Sequence, residues 1–262
     1  MTLYGKPIAE QIYQRLKAEV IKLKVKPSLA VVLIGEGPAS LQYIKVKEKI
    51  AENLGIGFRL YHLPGIVLEK NIINLVYDLN KNKFITGIVV QLPLPKEFDT
   101  EKVLKAIASA KDVDGFSGKY SAPTAKAILE ILRFYKIDLK GKNIIIVGHG
   151  RLVGKPLEKI LFKQGIKPSI CDSSCSNLSE QLSKADLIIS GAGTPGLIKA
   201  NMVSEEAIVI DAGTAESSGK VVGDVDSEVY KKVSSYSPVP GGVGPVTVAM
   251  LMKNLISSTK NT

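Results

Sequence analysis

Short apolar runs alternate with stretches of helical periodicity through the first half of the chain. Apolar residues recur at helical spacing over 7–24, fill positions 29–34, and return to helical spacing over 39–54. A strand over 57–61, a helix over 70–80 and a strand over 87–90 continue the pattern. This alternation predicts an α/β protein, in which parallel strands are joined by right-handed crossovers.

The second half repeats the alternation. After a helix over 124–135, short apolar runs predict further strands over 143–147, 167–171, 186–190 and 207–211. Ligands in such a sheet bind beyond the carboxyl ends of the strands. The sequence places Gly148, Asp172, Gly191 and Asp211 at those ends.

The turn after the strand over 143–147 is rich in glycine. Gly148 and Gly150 permit a tight turn and close approach of a ligand, and Gly154 permits a helix beginning near Val153 to pack on the strand. The amides at that helix N-terminus would face an anion such as a pyrophosphate. The spacing is G-x-G-x-x-x-G and not the usual G-x-G-x-x-G, so this turn alone fits either a dinucleotide site or an ordinary βα connection. Asp172, 24 residues after Gly148, is where an acidic side chain would meet an adenine ribose.

Composition narrows the classes of function. The 262 residues carry a net charge of +10, but the lysines are scattered and there is no Trp, which favours a polyanionic small molecule over nucleic acid. Two cysteines and two histidines without ligand spacing predict no metal site. No apolar run approaches the roughly 18 residues of a membrane span, and the N-terminus does not resemble a signal peptide. We therefore expect a cytoplasmic protein with no membrane partner.

Polar residues suited to catalysis or ligand binding lie on or next to these elements. Tyr43 and Lys47 are four apart and share a helix face, which fits either a catalytic pair or a phenol resting on a solvated lysine stem. Gln91 follows a buried strand and is held by the prolines of Gln91-Leu-Pro-Leu-Pro95. In Lys111-Asp-Val-Asp114-Gly, at least one of the two carboxylates is expected to cap its own turn.

The segment from Pro238 to Gly244 is too rich in proline and glycine for regular structure. It leads into a predicted last helix over 246–256, with Pro245 suited to the first turn. A glycine-rich loop beside a helix N-terminus allows close approach of a ligand.

Taken together and in order, these motifs resemble the methylenetetrahydrofolate dehydrogenase/methenyltetrahydrofolate cyclohydrolase family. The matching segments are Tyr43-x-x-x-Lys47, Gln91-Leu-Pro-Leu-Pro95, Lys111-Asp-Val-Asp114-Gly-Phe116, Gly148 through Gly154-x-Pro156, Gly223-Asp224-Val225 and Pro238-Val-Pro-Gly-Gly-Val-Gly-Pro-x-Thr247. They span most of the chain, and six ordered matches are far more specific than any one of them.

The resemblance implies two α/β domains with the active site in a cleft between them, the second domain a Rossmann-type doubly wound parallel sheet. Residues 1–117 would form the folate domain, with 245–262 packing back on it, and 118–244 the dinucleotide domain. The family oxidises methylene-tetrahydrofolate to the methenyl form with NADP, hydrolyses the product to 10-formyl-tetrahydrofolate, and usually forms homodimers. A monofunctional NAD-dependent dehydrogenase is the alternative.

The resemblance also implies roles for residues. Lys47 would carry out the proton transfer of the hydrolysis, and Gln91 would hold Lys47 in place by a hydrogen bond. Tyr43 would stack on or orient the folate. Asp114 would accept hydrogen bonds from the donor edge of the pterin. Other residues are expected to border the substrate: Leu92, Pro93, Pro238, Gly241 and Gly242. The expected cofactor-binding residues are Gly148, His149, Gly150, Arg151, Val153, Gly154, Asp172, Ser173, Gly191, Ala192, Gly193, Asp211, Gly213 and Thr214.

Three features of the sequence depart from the family pattern. His149 and Gly150 replace the usual residues of the glycine loop. Asp172 should repel a 2′-phosphate and so argues for NAD, whereas Ser173 and Arg151 would suit NADP. The prediction is NADP, with NAD possible. The stretch 117–127 is shorter than usual, which leaves a modified pterin carrier open.

Overall fold

The computed structural model describes residues 1–217 and 220–261. The chain divides into two compact units, and each boundary falls inside a helix. The Lys47 unit comprises Gln11–Pro123 and Leu251–Thr262, and the glycine-loop unit comprises Met1–Glu10 and Thr124–Met250. Thr262, which ends the range 245–262 expected to pack on the first domain, lies outside the described residues.

The Lys47 unit is built on a three-stranded parallel sheet in the order β2-β1-β3. Its elements are α1 (Lys6–Ile21), β1 (Ser28–Ile34), α2 (Pro38–Leu54), β2 (Gly57–Leu63), α3 (Glu69–Lys81), β3 (Gly87–Val90) and α4 (Thr100–Lys105). β1 lies in the middle, and six of its seven residues are buried. One face of the sheet packs with α3 and α4 in an apolar core that includes Val32, Ile72 and Val103. A continuous run of apolar residues is therefore what β1 requires.

The glycine-loop unit is built on a five-stranded parallel sheet in the order β10-β7-β6-β4-β5. Its elements are α5 (Pro123–Phe134), β4 (Ile144–Val147), α6 (Gly154–Lys163), β5 (Ser169–Cys171), α7 (Leu178–Ser183), β6 (Leu187–Ser190), a 3₁₀ helix (Ala200–Met202), β7 (Ile208–Asp211), β8 (Ala215–Ser217), β9 (Lys220–Val222), α8 (Ser227–Lys232), β10 (Ser235–Ser237) and, as far as Met250, α9 (Val243–Lys260). β8 and β9 form a separate antiparallel pair.

The strand order of this sheet reverses between β4 and β6. Counted along the unit, the order is 2-1-3-4-5, which is a common doubly wound arrangement. The chain leaves β4 toward β5 on one side of the sheet and continues to β6 on the other side, and ligands of doubly wound sheets bind at such a switch point. Gly148 follows β4 and Gly191 follows β6, so the two glycine loops meet at this switch point.

The predicted α/β class is confirmed, and the predicted strands and long helices are found within about three residues. The sequence reading missed β8, β9, α8 and β10, because none of these short elements holds more than two consecutive apolar residues. The last helix starts at Val243 and ends at Lys260, so the expected 246–256 was too short at both ends. No helix in the described part of the chain is long and apolar enough to cross a membrane.

Candidate active site and dinucleotide loops

Lys47 lies inside the Lys47 unit and not on its surface. The side chain is on α2, is only 6% exposed, and donates from Nζ to Gln91 Oε1 at 2.9 Å. Tyr43, one turn earlier, lies with its ring centroid 5.2 Å from Nζ. The shared helix face is confirmed, and burial excludes the solvated-lysine interpretation.

Gln91 is oriented by its own neighbourhood. Its backbone N–H donates to Val32 O at 2.9 Å, which extends the pairing of β3 with β1 by one residue. Its side-chain Nε2 donates to Leu92 O at 2.8 Å. Since the amide nitrogen is used there, the amide oxygen must face Lys47. Leu92 packs against the apolar core and Pro93 is exposed at the end of the same segment.

The carboxylates of Asp112 and Asp114 differ in what they contact. Asp112 is buried, and its carboxylate accepts from Gly115 N at 3.1 Å and Ser117 N at 2.5 Å. Gly115 has φ +81°, and a Cβ there would lie 2.5 Å from Tyr120 O, so the turn requires glycine. The expectation that one acid caps its own turn is confirmed for Asp112. Asp114 is half-buried and close enough to Lys47 for the two charges to affect each other's pKa.

This turn is held from two sides. Lys111 Nζ donates to the carbonyls of Leu79, Asn80 and Asn82, at 3.0, 2.7 and 2.7 Å, and so binds the carboxyl end of α3. Asn254 Nδ2, on α9, donates to Val113 O at 2.8 Å. Asn254 Nδ2 also donates to a second carbonyl beyond the turn, that of residue 121, at 2.9 Å. The backbone beside Asp114 is therefore fixed before any ligand binds. Neither anchor was anticipated, because no local pattern links Lys111 to α3 or Asn254 to residue 113.

Burial sets the electrostatics of this cluster. Desolvation lowers the pKa of Lys47, and the neighbouring Asp114 charge opposes that shift only in part. Burial raises the pKa of Asp114 to about 6, with Lys47 opposing and Asp112 adding to the effect. Burial, followed by the Asp114 charge, raises the pKa of Tyr43 to about 12. At neutral pH the cluster therefore holds an ionised carboxylate, a neutral phenol and a lysine that gives up its proton more easily than usual.

The glycine loop after β4 packs directly on the loop after β6. Gly148 has φ +89°, and a Cβ there would lie 2.7 Å from Ala192 Cα. A Cβ on Gly191 would lie 2.6 Å from the Cβ of Val153, which is buried. Gly154 packs against the carbonyl of Gly148 with no room for a side chain. These five residues, all expected at the cofactor site, are thus brought together at the switch point.

The rest of the loop is more open. Gly150 and Arg151 are exposed, and His149 Nε2 lies 2.7 Å from Glu158 Oε2 on α6. Lys155 N donates to Gly150 O at 3.1 Å, so the first turn of α6 already folds against the loop.

Asp172 and Ser173 are exposed just after β5. Asp172 Oδ1 accepts from the backbone N and the hydroxyl of Ser174, at 2.9 and 2.6 Å. These two bonds are the main reason that its pKa lies below the usual range. An ionised carboxylate therefore stands at the strand end where the sequence predicts recognition of the ribose.

Asp211 does not present its side chain to a ligand. It is fully buried, and its carboxylate accepts from Gly213 N at 2.9 Å, Val225 N at 3.1 Å and Tyr230 hydroxyl at 3.3 Å. Its carboxylate oxygens are thus used in holding neighbouring loops, and the role of Asp211 at the cofactor site stays a prediction. Burial and then the adjacent Asp224 charge raise the pKa of Asp211 to about 6. Gly213 is buried, and Thr214 is exposed next to it.

The Pro238–Gly242 loop belongs to the glycine-loop unit. Gly242 N donates to Pro238 O at 2.7 Å, and Gly241 has φ +109°. Gly5, in the N-terminal segment, donates from N to Gly241 O at 2.9 Å and packs against Gly242 O with no space for a Cβ. The backbone of the loop is therefore fixed by glycine contacts.

Comparison with known proteins matches both parts of the chain. Residues 3–114 match the catalytic domain, and residues 122–262 the NAD(P)-binding domain, of the tetrahydrofolate dehydrogenase/cyclohydrolase family. The chain is 43% identical over 274 residues to the bifunctional protein FolD of Nitratiruptor sp. (98% of this chain, 97% of the relative). It is 41% identical over 277 residues to that of Aquifex aeolicus (99% and 95%).

Two solved structures superpose over the whole chain. The crystal structure of the bifunctional enzyme FolD from Campylobacter jejuni gives a TM-score of 0.92 at 40% identity, covering 100% of this chain and 99% of that one. The dehydrogenase-cyclohydrolase of Trypanosoma brucei, complexed with NADP and an inhibitor, gives 0.93 at 30% identity, covering 100% and 97%.

Proposed function

The chain belongs to the tetrahydrofolate dehydrogenase/cyclohydrolase family, and from this premise we propose that Lys47 carries out the proton transfer of the hydrolytic step. The protein is a bifunctional enzyme. It oxidises methylene-tetrahydrofolate to the methenyl form with NADP and hydrolyses that product to 10-formyl-tetrahydrofolate. The observation that carries the proposal is the buried Lys47 amine, hydrogen-bonded at 2.9 Å to Gln91.

Hydrolysis requires a base at neutral pH. In its neutral form, Lys47 takes a proton from the water whose oxygen bonds to the methenyl carbon. The hydroxyl now on that carbon loses its proton as the carbonyl forms, while the bond from the carbon to the ring nitrogen breaks. The ring nitrogen keeps the electron pair and takes up a proton, so hydrolysis of the cationic substrate releases one proton in all, which leaves through Lys47. An ordinary lysine titrates near 10.4, so burial that lowers its pKa increases the fraction of competent enzyme. The positive charge of the methenyl bridge would lower that pKa further.

The neighbours of Lys47 have complementary roles. Gln91 holds the amine at one position through the oxygen that faces it. Asp114, whose pKa of about 6 leaves it ionised at neutral pH, accepts hydrogen bonds from the pterin's donor edge. Tyr43 stays neutral and orients the folate. Leu92, Pro93, Pro238, Gly241 and Gly242 border the substrate in this proposal.

NADP, when bound, supplies the hydride acceptor of the oxidation. The switch-point loops fit a dinucleotide, since their glycines let the loops after β4 and β6 pack backbone to backbone and α6 directs its N-terminal amides to the same edge. We assign the diphosphate to Gly148–Gly154 and the 2′-phosphate to Ser173 with Arg151. The remaining contacts come from the backbone of the loops after β6 and β7.

Asp172 favours the alternative, a monofunctional NAD-dependent dehydrogenase, because its ionised carboxylate would repel a 2′-phosphate. The intact Lys47–Gln91 pair supports retention of the hydrolytic step.

The test begins with purified protein and methylene-tetrahydrofolate, run in parallel with NADP and with NAD, and with methenyl-tetrahydrofolate alone. Methenyl formation with NADP and hydrolysis without any nucleotide are expected. Hydrolysis without nucleotide would exclude the monofunctional alternative.

Lys47→Met should abolish hydrolysis and leave NADP affinity unchanged. Lys45→Met is the matched control, because it removes a charge from an exposed position on the same helix. Normal hydrolysis by Lys47→Met would show that the base is elsewhere.

Three broader predictions accompany this assignment. We propose that residues 1–117 with 245–262 hold the folate and that 118–244 hold the nucleotide, that the protein is a homodimer, and that it works in the cytoplasm. Sedimentation analysis at several concentrations tests the oligomeric state, and a monomer throughout would contradict it.

A further inference from the structure

The segment Gly223-Asp224-Val225 crosses the carboxyl ends of β6 and β7. Asp224 is completely buried, and its main chain is bound on both sides: its carbonyl accepts from Ile198 N at 3.0 Å and its N–H donates to Asp211 Oδ1 at 3.2 Å. Asp226 N donates to Ile198 O at 2.9 Å in the same pairing. Backbone pairing with Ile198 and the bond to Asp211 thus hold the main chain that carries the Asp224 side chain.

The Asp224 carboxylate binds the loop after β6. Oδ2 accepts from Ser190 Oγ at 2.6 Å and from Ala192 N at 2.7 Å, and Oδ1 accepts from Thr194 N at 2.8 Å. Ala192 and Thr194 are exposed on their side-chain faces, so this loop is held by its inward-pointing amides. With these two amides directed inward, the intervening Gly193 lies on the exposed side of the loop.

The Asp211 carboxylate packs against Gly223, and the Asp224 carboxylate packs against Gly213. A Cβ on Gly223 would lie 2.6 Å from Asp211 Cγ, and a Cβ on Gly213 would lie 2.5 Å from Asp224 Oδ2. Each carboxylate thus occupies the space of a missing side chain on the other's segment. Any residue larger than glycine at either position would push a carboxylate away from its donors.

We propose that Asp224 is a positioning residue for NADP, which fixes the main chain of residues 191–194 at the switch point in its binding conformation. The inference rests on the proposed function, since it assumes that this loop contacts the nucleotide. Loop immobilisation before binding removes an ordering cost that would otherwise weaken affinity. In this proposal Asp224 does not touch the nucleotide, because its buried carboxylate accepts from Ser190, Ala192 and Thr194.

The geometry requires a carboxylate and not an amide. In Asp224→Asn one oxygen becomes an NH₂ group, which would face either Ala192 N–H or Thr194 N–H, whichever way the amide is turned. Ser190 can rotate its hydroxyl to accept, but a backbone N–H cannot. The substitution therefore removes one loop bond while it preserves the volume of the side chain.

The experiment measures NADP affinity by direct titration, both activities, and hydrogen exchange of the peptide covering residues 190–195. For Asp224→Asn we expect the NADP dissociation constant to rise about tenfold, as for loss of one bond to a charged acceptor, with faster exchange in that peptide. Hydrolysis of methenyl-tetrahydrofolate without nucleotide should be retained, because Lys47, Gln91 and Asp114 belong to the other unit.

Asp226→Asn is the matched control. Asp226 lies two residues away, and within the described part of the chain its carboxylate accepts from Glu228 N alone, at 2.9 Å, as the cap of α8. NADP affinity and loop exchange should stay at wild-type values in this variant.

Ser190→Ala is the second variant, in case Asp224→Asn fails to fold. It removes one donor to Asp224 Oδ2 and should raise the dissociation constant about threefold, in the same direction. Folded variants with unchanged NADP affinity and unchanged exchange in 190–195 would overturn the proposal, as would equal loss of both activities with normal affinity.

Failure of the wild-type protein to bind NADP would instead contradict the proposed function, while the exchange measurement would still report on the loop.

Discussion

Replacement of Gln91 by Met should lower the pKa of Lys47 further. The change keeps the length and approximate volume of the side chain but deletes the oxygen that accepts from Nζ at 2.9 Å. With Lys47 only 6% exposed, water cannot readily replace that acceptor. The ammonium form therefore loses more stabilisation than the neutral amine does.

The size of the effect follows from the bond. A hydrogen bond to a charged group contributes about 1.5 to 3 kcal/mol, and one pKa unit corresponds to about 1.4 kcal/mol. The pKa of Lys47 should fall by about 1 to 2 units in Gln91→Met. Gln91→Glu should raise it by about 1 to 3 units, because it places an opposite charge at the same position.

The assay is the rate of methenyl-tetrahydrofolate hydrolysis as a function of pH, without nucleotide and corrected for the uncatalysed reaction. The midpoint of the rising limb should move to lower pH in Gln91→Met and to higher pH in Gln91→Glu. Gln42→Met, an exposed substitution on the same helix as Lys47, should not move it. Midpoints that stay at the wild-type value in both Gln91 variants, or move in the same direction, would refute Lys47 as the titrating base.

Three further predictions concern the carboxylates. Asp112→Ala should lower the free energy of unfolding by about 1 to 3 kcal/mol, because Gly115 N and Ser117 N lose their acceptor; an unchanged denaturation midpoint would contradict this. Asp114 has a folded pKa raised to about 6 from 3.8, so its contribution to stability is present below about pH 4 and is lost as pH rises to 6. Asp114→Asn should abolish that part of the pH dependence and weaken folate binding, and an unaltered stability profile would argue against the raised pKa. Asp172→Ser should shift the ratio of kcat/KM toward NADP over NAD by about tenfold, and a constant ratio would show that Asp172 does not face the ribose.

Much of the fold was predictable because buried parallel strands need continuous apolar runs. β1, β3, β4 and β6 all stand where such runs end in glycine or a polar residue. The strands β8, β9 and β10 were not predictable, since none of them holds more than two consecutive apolar residues.

The α/β alternation, the glycine loop, and the shared helix face of Tyr43 and Lys47 were all predictable from the sequence, because each depends on local spacing. The contact of Lys47 with Gln91 agreed with the expectation from family resemblance. It took the folded protein to show which of Asp112 and Asp114 caps the turn, and which backbone amides the Asp211 carboxylate binds. The physical reason is that a carboxylate's role depends on which donors surround it and how far it is removed from water. Those donors come from segments distant in the chain, as with Asp224 and Ala192, so no local pattern encodes them.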